Sequence, residues 1–136
     1  MKNIRNILIV CVCLLAPLCA AANPTVNIKF ADDSCLTFED AGSKQIDVRI
    51  VSGQAIANLS LELELRRYDE NAKLGAEPVA KAESTQDVQG GGGLAPISVD
   101  IEVPAAGFYR LLVTATDGDG NFRGKKTVLL AVFPKG

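Results

Sequence analysis

The side chains best placed to do chemistry in this chain are acidic and lie in one short run. Asp117-Gly118-Asp119-Gly120-Asn121 sets oxygen-bearing side chains at alternate positions, a spacing with which a loop can wrap a calcium ion. A twelve-residue helix-flanked calcium loop also needs Gly at its sixth position and Glu at its twelfth, and Phe122 and Val128 stand there. Asp117, Asp119 and Asn121 are thus candidate ligands, although a hairpin turn of the same composition needs no metal. The chain has no histidine. This removes Ser-His-Asp triads, Cys-His pairs and histidine-ligated zinc or copper together. Cys35 has no imidazole to activate it, so its thiol is not a nucleophile by default. Asp32-Asp33 and Glu39-Asp40 are adjacent carboxylates that diverge in a strand or loop, and they read as solvated charge. No cofactor is implied, and the chain is not expected to be an enzyme.

A second feature is Gly90-Gly91-Gly92-Gly93. No Lys-Ser/Thr follows it to open a helix, so it is not a phosphate loop. It reads either as a connection between strands or as a binding loop whose exposed backbone pairs with a partner strand. Asn58-Leu59-Ser60 matches the glycosylation acceptor pattern, which matters only in a eukaryotic secretory route.

The first 22 residues bear on where this chemistry would operate. Lys2 and Arg5 precede an apolar run from Ile7 to Cys19, and Ala20-Ala21-Ala22 supplies small residues for cleavage. This is the layout of a secretory signal peptide, and the run is short for a membrane span, which takes roughly 20 residues. The mature chain is expected to be one domain over residues 23–136, exported to the periplasm or the extracellular space. Lipidation at Cys19 is disfavoured by the Ala16-Pro17-Leu18 that precedes it. Cys11, Cys13 and Cys19 leave with the signal, and of the four cysteines only Cys35 stays, expected as a buried thiol, with an intermolecular bond as the alternative. The chain carries 14 basic and 16 acidic residues; without Lys2 and Arg5 that becomes 12 against 16, a net of −4. There is no basic stripe for nucleic acid and no further long apolar segment for a membrane.

The rest of the chain alternates with a period of two. Ile46, Val48 and Ile50 alternate with Asp47 and Arg49; Leu59, Leu61, Leu63 and Leu65 with Ser60, Glu62 and Glu64; Ile97, Val99, Ile101 and Val103 with Ser98, Asp100 and Glu102. Each segment predicts a strand with one buried and one wet face. The Leu/Glu segment has helix-forming residues, but a helix would scatter Leu59 and Leu63 off the Leu61-Leu65-Tyr68 stripe. Thr25–Phe30 alternates as well. Phe108–Thr116 and Lys126–Phe133 are apolar and β-branched and read as interior or sandwich-core strands, while Pro78 demotes 77–82 to an edge. Turn residues separate these segments, notably Asp69-Glu70-Asn71 and Pro104 to Gly107. About seven short strands without a convincing helix predict an all-β, two-sheet antiparallel sandwich.

Val103-Pro104-Ala105-Ala106-Gly107-Phe108-Tyr109-Arg110-Leu111-Leu112-Val113-Thr114-Ala115-Thr116-Asp117, followed by Gly120-Asn121, resembles the last two strands of bacterial immunoglobulin-like and fibronectin type III-like domains. The resemblance covers about the last third of the chain. It implies that Gly107 opens the penultimate strand, that Tyr109, Leu111, Val113 and Ala115 share a face, and that Tyr109 returns its hydroxyl to nearby backbone as a tyrosine corner. The Trp and the disulfide of antibody domains are absent. The order Gly90–Gly93, Ser98–Val103, Ala105-Ala106-Gly107 is also similar to chagasin-like cysteine-protease inhibitors, whose other two loop motifs have no match here. The function expected is that of an exported, non-catalytic binding or accessory subunit that contacts another exported or surface protein. The alternatives are a chagasin-like inhibitor or a calcium- or carbohydrate-binding adhesion module; few aromatic residues remain as sugar platforms once the core is filled.

Overall fold

Period-two alternation becomes two sheets pressed together by their apolar faces. The computed structural model describes residues 25–91 and 94–134. The expected signal peptide, the Asn23 start, Gly92 and Gly93 lie outside these residues. The strands are β1 (Asn27–Phe30), β2 (Cys35–Glu39), β3 (Gly42–Val51), β4 (Ile56–Arg67), β5 (Ala80–Val88), β6 (Leu94–Val103), β7 (Gly107–Thr116) and β8 (Phe122–Phe133). One sheet has the order β1-β3-β6 and the other β2-β8-β7-β4-β5. This is an immunoglobulin-like β-sandwich, and no helix occurs among the described residues.

The core follows the alternation. Leu59, Leu61, Leu63 and Leu65 are all fully buried, which settles the Leu/Glu segment as a strand. Ile46, Val48 and Ile50 on β3 and Ile97, Val99, Ile101 and Val103 on β6 face them from the smaller sheet. Tyr109, Leu111, Val113 and Ala115 share the buried face of β7. The Tyr109 hydroxyl donates to the Ala105 carbonyl at 2.6 Å, so the corner forms as its residues imply. Gly107 enters the strand at φ +149°, a conformation that favours glycine.

Three expectations need correction. There are eight strands rather than about seven, because β2 is a strand of its own. The chain turns after β1 with the Phe30 amide donating to Asp33 Oδ1 at 2.9 Å, then crosses to the other sheet. There β2 pairs in parallel with β8, Cys35 beside Leu129, so the sandwich is not antiparallel throughout. Lys126 of β8 holds this crossing through an ion pair to Asp33 at 3.0 Å. The strand expected over 77–82 runs instead over Ala80–Val88, with Pro78 ahead of it. Of the two readings open for β7 and β8, the structure takes the sandwich-core one: both are central in their sheet, and among the described residues one face of each is covered.

Gly124 has a role that its sequence position does not reveal. The Val26 amide donates to the Arg123 carbonyl at 2.9 Å, drawing the start of the N-terminal strand across β8. A Cβ at Gly124 would lie 2.9 Å from the Val26 carbonyl oxygen.

Candidate functional site

Asp117 sits where β7 ends, at 8% exposure. Its Oδ1 accepts the backbone amides of Asp119 and Asn121, both at 2.9 Å. Its Oδ2 accepts the Asn121 side-chain amide and is paired with the Arg123 guanidinium at 2.7 Å. The Asn121 amide above all, joined by Arg123, holds the Asp117 carboxyl below the usual carboxylate range against the opposing effect of desolvation. The turn also closes on itself, Asp117 N–H to Asn121 carbonyl and Gly120 N–H to Asp117 carbonyl. The structure brings the three candidate calcium ligands together, but as a turn in which Asp119 and Asn121 donate to Asp117. The carboxylate that a cation would need is already neutralised by Arg123.

The glycine run is held against a neighbouring turn at its start. A Cβ on Gly90 would fall 2.7 Å from the Ala55 nitrogen and 2.8 Å from the Gln54 carbonyl carbon. Gly91, at φ +87°, donates its amide to the Gly53 carbonyl at 3.3 Å. These two glycines dock the exit of β5 onto the turn between β3 and β4. Gly92 and Gly93 lie outside the described residues.

Cys35 is half-buried rather than enclosed in the core, which corrects the expected buried thiol. Its strand alternates, so Leu36 and Phe38 pack against the core while Cys35 shares the opposite face with its register partner Leu129.

That opposite face is the feature the sequence reading passed over. On the outer side of the five-stranded sheet Phe108 is 53% exposed, Phe133 50% and Leu129 38%. The rings of Phe108 and Phe133 meet edge to face at 6.2 Å between centroids. Leu129 stands beside Arg110, and Leu112 follows on the same face of β7. The β4–β5 connection overhangs one end of this surface. It is a compact hairpin in which Asp69 Oδ1 accepts the amides of Asn71 and Lys73 at 2.8 and 2.9 Å, and the Tyr68 amide binds the Phe108 carbonyl at 2.9 Å. Between hairpin and sheet lies a cleft of about 510 Å³ lined by Tyr68, Asp69, Glu70, Ala72, Phe108 and Leu129. The signal for this surface was present: Phe108, Leu112, Leu129 and Phe133 put apolar side chains at the second parity of β7 and β8, as in strands with both faces buried. Among the described residues one face is covered.

No protein-family profile matches the chain, and no curated protein matches it. Solved structures do resemble it. The CARDB domain of a Pyrococcus furiosus protein aligns at 15% identity and TM-score 0.48, over 81% of this chain and 94% of that one. A pilin subunit, CooA, from enterotoxigenic Escherichia coli aligns at 12% identity and TM-score 0.47, over 83% of this chain and 100% of that one. A family 123 glycoside hydrolase from Clostridium perfringens reaches TM-score 0.51 at 9% identity, over 82% of this chain but only 27% of the enzyme. At such identities the likeness is one of fold, and the fold hosts many unrelated activities.

Proposed function

We propose that this chain is an exported, non-catalytic binding or accessory module that works through protein contact. The outer face of β7 and β8 is the observation that carries this reading. Phe108, Leu129 and Phe133 are large apolar side chains in one exposed group on central strands, where solvated polar residues would stand if nothing docked. The sheet face beside the cleft is favoured over the glycine loop, whose first two residues, Gly90 and Gly91, are docked on the turn at 53–55. The same docking removes the main support for the inhibitor alternative, and the Arg123 pairing of Asp117 does so for the calcium alternative. Export rests on residues 1–22, which have the charge, apolar length and small-residue exit of a signal peptide.

A pull-down from native extract with residues 23–136 tests this, with the double variant Phe108→Ser, Phe133→Ser as control. Both positions are at least half exposed, so the variant should keep its melting temperature. The partner retained by the wild-type chain is expected to be lost by the variant. Equal retention by both moves the contact elsewhere, and strong inhibition of papain by the wild-type chain would restore the inhibitor reading.

A further inference from the structure

Arg110 lies in the middle of the exposed apolar face, and its surroundings do not supply what a guanidinium needs. Its register partners are Leu129 on β8 and Arg66 on β4. Two arginines directly opposite repel. Arg66 is relieved of this by Glu64, with which it pairs, and by the carbonyls of Gly75 and Ala76, to which it donates. Glu64 is the acid diagonal to Arg110, and Arg66 already engages it. Arg110 Nε is left buried with no hydrogen-bond partner among the described residues. Beside it is a shallow hollow of about 390 Å³, lined by Arg110, Leu112, Lys125, Lys126 and Thr127. Lys126 is paired with Asp33, while Lys125 is exposed on the rim.

We infer that this face takes an extended peptide segment of the partner in which a carboxylate is flanked by apolar side chains. The carboxylate answers the Arg110 guanidinium and draws on the Lys125 charge, while the flanking side chains pack on Phe108, Leu129 and Phe133. A guanidinium within an apolar surface offers a geometric fork to a carboxylate, and the pairing strengthens as water is excluded. At the far end Asp69 and Glu70 line the cleft, so the face has an electrical polarity that also fixes the direction of the bound segment. The inference rests on the contact function proposed above and specifies the chemistry of the partner.

The test uses the blocked peptides acetyl-Val-Leu-Glu-Leu-Val-amide and its Gln counterpart, titrated into ¹⁵N-labelled protein (residues 23–136). The Glu peptide should bind at least roughly fivefold more tightly and move the Arg110 Nε–H resonance together with the Phe108 and Leu129 amides. Arg110→Gln should bring the Glu-to-Gln ratio to about one, and Arg110→Lys should restore part of it. Phe108→Ser should weaken both peptides alike. Equal affinity for the two peptides, or an unmoved Arg110 Nε–H, overturns the inference. So does a shift of that resonance with protein concentration alone, which would assign the face to a second copy. Tighter binding to phosphatidylglycerol vesicles than to the Glu peptide would assign it to an anionic membrane. If peptide discrimination is absent but the Phe108→Ser, Phe133→Ser variant still loses its partner, the contact function stands and the carboxylate assignment alone fails.

Discussion

Asp117 shows how much one carboxylate can organise. It terminates β7, closes the turn through two backbone amides, and neutralises Arg123. Its acidity is raised chiefly by the Asn121 amide. A carboxyl with a depressed folded pKa contributes stability above its unfolded pKa, near 3.9, and that contribution is lost as pH falls through the folded value. Asp33 is depressed in the same way by the Phe30 amide and Lys126, and Asp47 by Gln45 and Ser98. Asp117→Asn should therefore lower the melting temperature at neutral pH, with the gap to wild type narrowing below about pH 4. Thermal melts from pH 7 to pH 2 test this, and a gap independent of pH would show that the charge is not what stabilises the turn. Calcium added at neutral pH should give no rise in melting temperature beyond a salt control, because Arg123 occupies the cation's place.

At the scale of elements, local pattern was a good guide where one strand face is core and the other water. The alternations in β3, β4 and β6 were legible because each position has one destiny. The tyrosine corner was legible too, since Gly107 and Tyr109 carry their own local requirements. What escaped was non-local. β2 has five residues and forms by pairing with a strand some ninety positions later in the sequence, and nothing in Cys35–Glu39 alone specifies that partner. The exposed face of β7 and β8 escaped because Phe108, Leu112, Leu129 and Phe133 leave interior and sandwich-core strands alike in local pattern. The docking of the glycine run is not legible locally because the pressure on Gly90 comes from Gln54 and Ala55. Gly90→Ala should cost about 1–3 kcal/mol, since its Cβ meets backbone that cannot swing aside. Gly91→Ala meets open space and carries only the cost of a positive φ, about 1 kcal/mol. Urea unfolding of the two variants checks the order; equal, negligible losses would return the segment to the status of a spacer.

For the whole molecule, the question is how an open sandwich keeps its edges from pairing with other chains. The smaller sheet is the exposed case. β1 covers only Val48 to Val51 of β3, so the stretch from Gly42 to Asp47 has no neighbour on that side among the described strands. Lys44 falls in the inward parity of β3, on the same side as the buried Ile46 and Val48. Its ammonium reaches across the gap to the Glu39 carbonyl at 3.0 Å and lies 6.0 Å from the centre of the Phe38 ring. An inward-pointing lysine at an open edge is a recognised obstacle to strand addition, because a docking strand would have to bury the charge. Replacing the charge with an apolar, β-branched side chain keeps the strand pattern and removes the obstacle. Lys44→Val should thus fold with a melting temperature at or above that of the wild-type chain, yet associate more strongly as concentration rises. Sedimentation velocity over a concentration series reads this directly. A variant that sediments like the wild-type chain at every concentration would show that the short reach of β1, and not Lys44, sets the accessibility of that edge.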